Sequence, residues 1–246
     1  MQQHRIVSRE QWLAARKDLL AQEKELTRHR DRVAAARRGL PWVKVEKDYT
    51  FDTREGKRSL ADLFDGRSQL LVYHFMLTPG SDHICSGCAL LSDHIDAARQ
   101  HFENADLSFV AISRALLSQI LPVKKRMGWT FRWISSNGTS FNYDYGVSFT
   151  KEQVASGKVG YNYETTDYSG EDLHGTSVFA RNDAGEVFHT YSTYARGAET
   201  LAGAFSYLDL VPKGRNENGT MSWVRLHDEY DAPQAAACCH AHAATR

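Results

Sequence analysis

Gln69-Leu70-Leu71-Val72-Tyr73-His74-Phe75-Met76, then Cys85-Ser86-Gly87-Cys88, then Ala89-Leu90-Leu91 with Ile95, Ala98 and Phe102, and finally Leu107 to Ser113 form the succession that decides the fold. The first octet is a continuous apolar run of the kind that a strand covered on both faces requires. The residues from Cys85 to about Phe102 repeat their apolar positions at helical spacing, and Leu107 to Ser113 is a second buried strand. Strand, loop with a CxxC, helix and strand make a βαβ unit, which predicts two parallel strands joined by a right-handed crossover.

Downstream, residues 114 to 127 predict a helix bent or broken at Pro122, which lacks an N–H and clashes with the preceding turn. Phe131 to Ser135 predicts a strand. The stretch from Asn137 to Tyr168 is rich in Gly, Asn, Asp and Tyr, with a short helix at Lys151 to Ser156, and reads as an aromatic-rich insertion (about 137–170) over the active face. Ser177 to Arg181 and Glu186 to Tyr191, joined by Asn182-Asp183-Ala184-Gly185, predict an antiparallel hairpin, and a helix from Gly197 to Leu208 closes the domain. Upstream, Arg54-Glu55-Gly56-Lys57 is the turn of another hairpin, followed by a short helix at Ser59 to Phe64. Ser8 with Gln11 makes a capping box for one long helix, to about Arg38, whose narrow stripe contains Trp12, Leu13, Leu19, Leu20, Leu26 and Val33. These segments divide the chain into an arm (1–40), a core (41–211) and an extension (212–246) that is expected to be disordered from about 232.

The 246 residues carry 30 Lys+Arg and 30 Asp+Glu, so no net field favours nucleic acid or an anionic membrane. No apolar run approaches the roughly 20 residues that span a bilayer, and the polar start, Met1 to Arg9, is not a signal sequence; the expectation is a cytoplasmic protein. The four cysteines fall as one CxxC and the adjacent Cys238-Cys239, too few and too clustered for a secreted disulfide framework.

Cysteine chemistry needs thiolate, and an ordinary thiol supplies little of it at neutral pH. A cysteine at a helix start faces unpaired N–H groups, which favour the anion, so Cys85 is the candidate nucleophile and Cys88, one turn on, the resolving thiol. The substrate on this reading is a disulfide-bearing protein or a small thiol. A second reading stays open: Cys85 and Cys88, joined by His83 or by His174 ahead of the strand at Ser177, form a donor set for copper or zinc. His74, in the strand before the cysteines, and the tail Cys238-Cys239-His240-Ala241-His242 add further soft donors. Tyr191, Tyr194 and Arg196 gather where a strand end meets the next helix, a place that often lines sites. The long helix has the length and amphipathicity to pair two copies of the chain into a homodimer.

With this order in place, the chain resembles the thioredoxin-like superfamily and, within it, the bacterial family DUF899, for which no function is established. The carriers are Val7-Ser8-Arg9-Glu10-Gln11-Trp12-Leu13-Ala14-Ala15-Arg16, Pro41-Trp42-Val43, Glu46-Lys47-Asp48-Tyr49, Leu63 to Leu70, Tyr73-His74-Phe75-Met76, Phe188 to Gly197 and Tyr207-Leu208-Asp209-Leu210 with Pro212-Lys213-Gly214-Arg215. The resemblance implies an α/β fold with a thioredoxin-like core, a central mixed sheet flanked by helices. It equates the superfamily's CxxC with Cys85 and Cys88. It also places Thr176 and Ser177 where thioredoxins usually carry the proline that presents backbone to a substrate peptide and keeps metal from the thiols. That departure weakens the dithiol-reductase reading and strengthens the metal one. A peroxiredoxin-like reading follows from the hairpin, short helix and buried strand before the cysteines, with Thr78 and Arg196 as its candidate partners for a peroxide.

Overall fold

The computed structural model describes residues 4–230, so the tail from Ala232 and its Cys238-Cys239-His240 cluster lie outside the described residues. The chain forms two compact units, the first ending at Trp42 and the second beginning at Val43.

The first unit is helix α1, Arg9–Arg38. Ser8 Oγ accepts the Gln11 N–H at 3.2 Å while Gln11 Oε1 accepts the Ser8 N–H at 3.2 Å, so the predicted capping box closes. At the other end the Gly39 N–H reaches the Ala35 carbonyl at 3.1 Å. No α1 side chain is buried, and Trp12, Leu13, Leu19, Leu20 and Leu26 are between 39% and 49% exposed.

The second unit is built on an eight-stranded sheet. Its strands are β1 (Val43–Lys44), β2 (Thr50–Thr53), β3 (Gly56–Ser59), β4 (Gln69–His74), β5 (Leu107–Ser113), β6 (Arg132–Ser135), β9 (Gly175–Arg181) and β10 (Val187–Tyr194). They lie in the order β1-β10-β9-β4-β5-β6-β2-β3. Strand β4 runs parallel to β5, as the crossover demands, and antiparallel to β9, and β5 and β6 are parallel. Pleating sends alternate residues of β4 to opposite faces. Leu70 and Val72 join Val110, Ile112, Ile134, Phe141 and Phe179 on one face, while Tyr73 and Phe75 join Ala89, Leu91, Phe109, Trp129 and Trp133 on the other. Each fully buried large apolar side chain contributes roughly 1.5–3 kcal/mol, which is why an octet without alternation settles at the centre of the sheet.

Three helical expectations change. The helix after the cysteines is two: α2 (Ser86–Ser92) and α3 (Ile95–Asn104). At the joint the His94 ring Nδ1 sits 2.7 Å from the Leu90 carbonyl, its Nε2 accepts the Ala204 N–H at 2.9 Å, and Asp93 accepts from Trp129 Nε1 at 2.7 Å. These are tertiary bonds that periodicity does not register. Helix α4 (Leu117–Arg126) runs through Pro122 without being interrupted there. The closing helix is split at Ala202, with a 3-10 segment, Ala195–Leu201, before α7 (Gly203–Leu208).

The insertion contains α5 (Phe141–Asp144), α6 (Lys151–Ser156) and a hairpin of β7 (Lys158–Tyr161) with β8 (Glu164–Asp167) that the sequence pattern did not reveal. It is tied to the core through Asp172, which is buried. That carboxylate accepts from Arg114 Nε and Nη2 (both 2.7 Å), from Thr78 Oγ1 (2.6 Å) and from Ser148 Oγ (2.5 Å). Arg114 is itself largely buried, so removing the carboxylate leaves its guanidinium with only Glu171 at 2.9 Å and the Tyr143 hydroxyl at 2.8 Å. Asp172→Ala is therefore expected to lower the unfolding free energy by about 3–5 kcal/mol, measured by urea denaturation.

Candidate functional site

Cys85 precedes α2 in extended backbone (φ −64°, ψ 112°), and its Sγ accepts the Cys88 N–H at 3.3 Å. The first N–H groups of a helix lack partners within it, and here a sulfur takes the place that a Ser or Asp oxygen commonly fills. Gly87 lets a neighbour lie against this turn. A Cβ there would stand 2.9 Å from Met221 Cε and 3.9 Å from Cys85 Sγ, so the C-terminal segment packs beside the cysteine.

Both cysteines are free thiols, but their surroundings differ. Cys85 is partly exposed, whereas Cys88 is 1% exposed within the core cluster. A hydrogen bond from the Cys88 thiol, helped by the Cys88 and Gly87 N–H groups and opposed by burial, draws the Cys85 thiol below its ordinary value. Burial pushes the Cys88 thiol well up, and the hydrogen bond and charge of Cys85 push it the same way; the Tyr73 hydroxyl and the Met76 backbone pull against them. Burial also lifts the Tyr73 phenol far above its usual range, so it remains protonated and donates to Cys88. The arrangement thus holds one accessible, activated thiol and one shielded thiol a turn away. Chemically it is equipped for attack by the first and resolution by the second.

Around the pair stand residues that sequence reasoning did not single out for it. Tyr161 donates to the His174 carbonyl at 2.7 Å and accepts the Ala195 N–H at 2.9 Å; Tyr168 donates to the Asp172 carbonyl at 2.7 Å. The Tyr168 phenol is pushed up to about 12, by burial first and then by the charges of Asp172 and the two cysteines. Both tyrosines come from the insertion, where they read as members of an aromatic group without individual roles. Tyr73 was legible as a buried strand residue, but a ten-residue loop between strand and motif hides which face the cysteines meet.

The predicted site residues separate. Thr176 is buried directly across from Tyr73 in the β4–β9 register, and so lies on the cysteine face. Ser177, expected beside it, faces the other side of the sheet, because neighbouring strand residues point oppositely; it is 0% exposed. There it belongs to a chain in which His74 Nε2 meets Ser177 Oγ at 2.9 Å, Ser177 Oγ meets Ser192 Oγ at 2.9 Å, and Ser192 Oγ meets His189 Nε2 at 2.8 Å. His74 is thereby removed from the cysteines as well. Tyr194 is buried, donating to the Tyr145 carbonyl at 2.9 Å and packing on Tyr161, while Tyr191 is partly buried on β10. Arg196 turns to solvent, 77% exposed, and pairs with Glu199 at 2.8 Å. Thr78 gives its hydroxyl to Asp172, so neither peroxide-binding candidate is bonded to the thiols.

The metal set Cys85, Cys88, His83 and His174 is not assembled. Among the described residues no three or more His, Cys, Asp or Glu side chains gather closely enough to hold an ion. His83 sits on an exposed loop, its N–H on Ser81 Oγ, and His174 packs its ring 6.4 Å from that of Tyr73. The two thiols are engaged with each other and with Tyr73, and neither imidazole joins them in such a group.

A family model described as a bacterial protein of unknown function, DUF899, matches residues 1–230. No curated protein matches the chain. Among solved structures, peroxidoxin BcpB from Mycobacterium tuberculosis superposes with a TM-score of 0.44 at 12% identity, covering 69% of this chain and 97% of its own. A PrxQ mutant from Xylella fastidiosa gives 0.45 at 11% identity, with 68% and 94% covered. The mitochondrial 2-cys peroxiredoxin of Plasmodium falciparum gives 0.40 at 14%, with 71% and 95% covered. Among the described residues no helix is long and apolar enough to cross a membrane.

Two outcomes follow from the electrostatics. Alkylation followed across pH by peptide mass spectrometry is expected to show Cys85 reacting at lower pH than an ordinary thiol and Cys88 at higher pH. Burial, aided by the neighbouring His189, holds His74 neutral down to about 3. The unfolded chain takes up that proton near its ordinary value, around 6.5, so the contribution of neutral His74 is complete above that pH and is lost as pH falls toward 3. Urea denaturation across that window is expected to show stability falling by about 1.4 kcal/mol per pH unit from this group.

Proposed function

Since this chain is a member of the DUF899 family, whose description as a bacterial protein of unknown function fixes no reaction, we propose from its own residues that this thioredoxin-like protein is a thiol/disulfide oxidoreductase. Cys85 is the nucleophile and Cys88 the resolving thiol. The observation that carries this reading is the asymmetry of the pair: a partly exposed Cys85 whose thiolate is favoured by hydrogen bonds, against a buried Cys88 whose proton is retained.

The reaction balances as two thiol exchanges. The Cys85 thiolate attacks one sulfur of a substrate disulfide, forming a mixed disulfide and releasing one thiolate. Cys88 then loses its proton and attacks Cys85 Sγ, closing the Cys85–Cys88 disulfide and releasing the second substrate thiolate. Once Cys85 is bonded to substrate its negative charge is gone, and with it one of the influences that hold the Cys88 proton in place. Resolution is thereby favoured only after attack. Tyr73, hydrogen-bonded to Cys88, stabilises the thiolate as it forms. The reverse sequence oxidises a dithiol partner with the same two residues.

Cys88→Ser is expected to accumulate a stable mixed disulfide on Cys85, seen as a mass increase that a reductant reverses, whereas Cys85→Ser forms none. Disulfide exchange undiminished in Cys85→Ser would remove the reading. Tyr73→Phe is expected to slow the resolving step, with attack by Cys85 little changed, in stopped-flow measurements of the two phases.

A further inference from the structure

Several of the backbone groups that a peptide substrate would use ahead of β9 are already engaged. An extended peptide docks by adding its backbone to free N–H and C=O groups at a strand end or edge, with side-chain pockets giving selectivity. The approach to β9 is the segment Asp172 to Gly175. There the Asp172 carbonyl accepts from Tyr168, the Leu173 N–H donates to the Val147 carbonyl at 2.8 Å, and the His174 carbonyl accepts from Tyr161. Gly175 is enclosed too: a Cβ there would meet Tyr194 Cδ1 and Val147 Cγ1, each at 2.8 Å. On the other flank Met221 lies on Gly87, and Leu226, further along the C-terminal segment, packs into the core cluster that contains Cys88. The insertion and the extension thus close the two sides from which a protein disulfide would be presented.

One polar group at the site is unspent. Thr176 is 3% exposed, its Oγ1 has no hydrogen-bond partner among the described residues, and it stands across from Tyr73, whose hydroxyl meets Cys88. A buried hydroxyl without a partner costs stability, and such groups call for an explanation. Met76 and Ile84 pack on the same apolar cluster as Cys85.

Resting on the oxidoreductase reading above, we propose that the Cys85–Cys88 pair acts on a small apolar electrophile with a weak S–S or O–O bond rather than on a protein disulfide, and that Thr176 Oγ1 donates a hydrogen bond to its departing atom. With a small disulfide, the dithiol becomes the Cys85–Cys88 disulfide and two thiols are released. With an organic hydroperoxide, the Cys85 thiolate takes the terminal oxygen as the O–O bond breaks, giving a sulfenic acid and, with one proton, an alcohol. Cys88 then attacks the sulfenic sulfur and water leaves, so two electrons pass from the dithiol to the peroxide.

The test is a single-turnover reaction of the reduced full-length protein, requiring no recycling reductant. Cumene hydroperoxide, hydroxyethyl disulfide and insulin serve as acceptors, and mass spectrometry reads the Cys85–Cys88 disulfide. At least one small acceptor is expected to react faster than insulin by roughly tenfold or more, the margin that pocket contacts supply, and the faster arm assigns the O–O or S–S bond. Thr176→Val is expected to slow that acceptor by a similar factor with no fall in melting temperature, and Thr176→Ser to restore it. Insulin reacting as fast as the faster small acceptor, or a Thr176→Val protein with unchanged rates, overturns the inference while leaving the dithiol chemistry standing. If no acceptor oxidises the pair, the oxidoreductase reading itself fails.

Discussion

The pairing of β4 on both of its edges is the constraint from which the rest of the second unit follows. Six residues, Gln69 to His74, are hydrogen-bonded in register to Leu107 to Ile112 on one side and to Ala180 to Gly175 on the other. With both edges used and both faces covered, β4 has no freedom to slip, because a shift by one residue would exchange its two faces. Tyr73 is thereby fixed toward the cysteines and His74 away from them, toward the Ser177, Ser192 and His189 chain. A two-residue difference in register would matter less to burial than to chemistry, since it is the Tyr73 hydroxyl that meets Cys88.

From that fixed strand the activation of Cys85 is a local affair. The sulfur satisfies a helix-start N–H that would otherwise lack a partner, and the seven-residue α2 carries Cys88 back into the core one turn later. Hydrogen bonds, rather than a neighbouring Lys or Arg, lead among the causes that favour the Cys85 thiolate. The two thiols differ because one faces outward at a cap and the other inward at a core. The insertion adds to this from outside, with Tyr161 and Tyr168 holding the backbone ahead of β9 and the Arg114–Asp172 pair anchoring the loop that they bind.

Most of the core was legible in the sequence because it rests on burial. The apolar octet, the helical stripe after the cysteines and the strand from Leu107 are signals of periodicity, and the parallel pairing of β4 with β5 follows from them. The Ser8–Gln11 box was legible for the same reason, being a local pattern with a local cause. What was hidden depends on long-range polar contacts. The joint between α2 and α3 is set by His94 with Ala204 and by Asp93 with Trp129, partners more than thirty residues away. The β7–β8 hairpin turns at Asn162 and Tyr163, both in left-handed backbone, a conformation that the Asn favours and the Tyr does not. His83 and His174 are a similar case, because spacing along the chain does not gather them into one group with the thiols. Around the candidate site, Thr176 and Ser177 read alike in the sequence, and their opposite faces, like that of His74, depend on a register that only the assembled sheet supplies.

The central claim is that Cys85 and Cys88 interconvert between dithiol and disulfide as a pair. It is tested most directly by equilibrating the full-length protein in a graded series of dithiol and disulfide buffers and mapping its cysteines by mass spectrometry at each potential. The account predicts one two-electron transition in which Cys85 and Cys88 become linked to each other together. Thiols at both positions throughout the series, or Cys85 forming only mixed disulfides while Cys88 never joins it, would contradict the account.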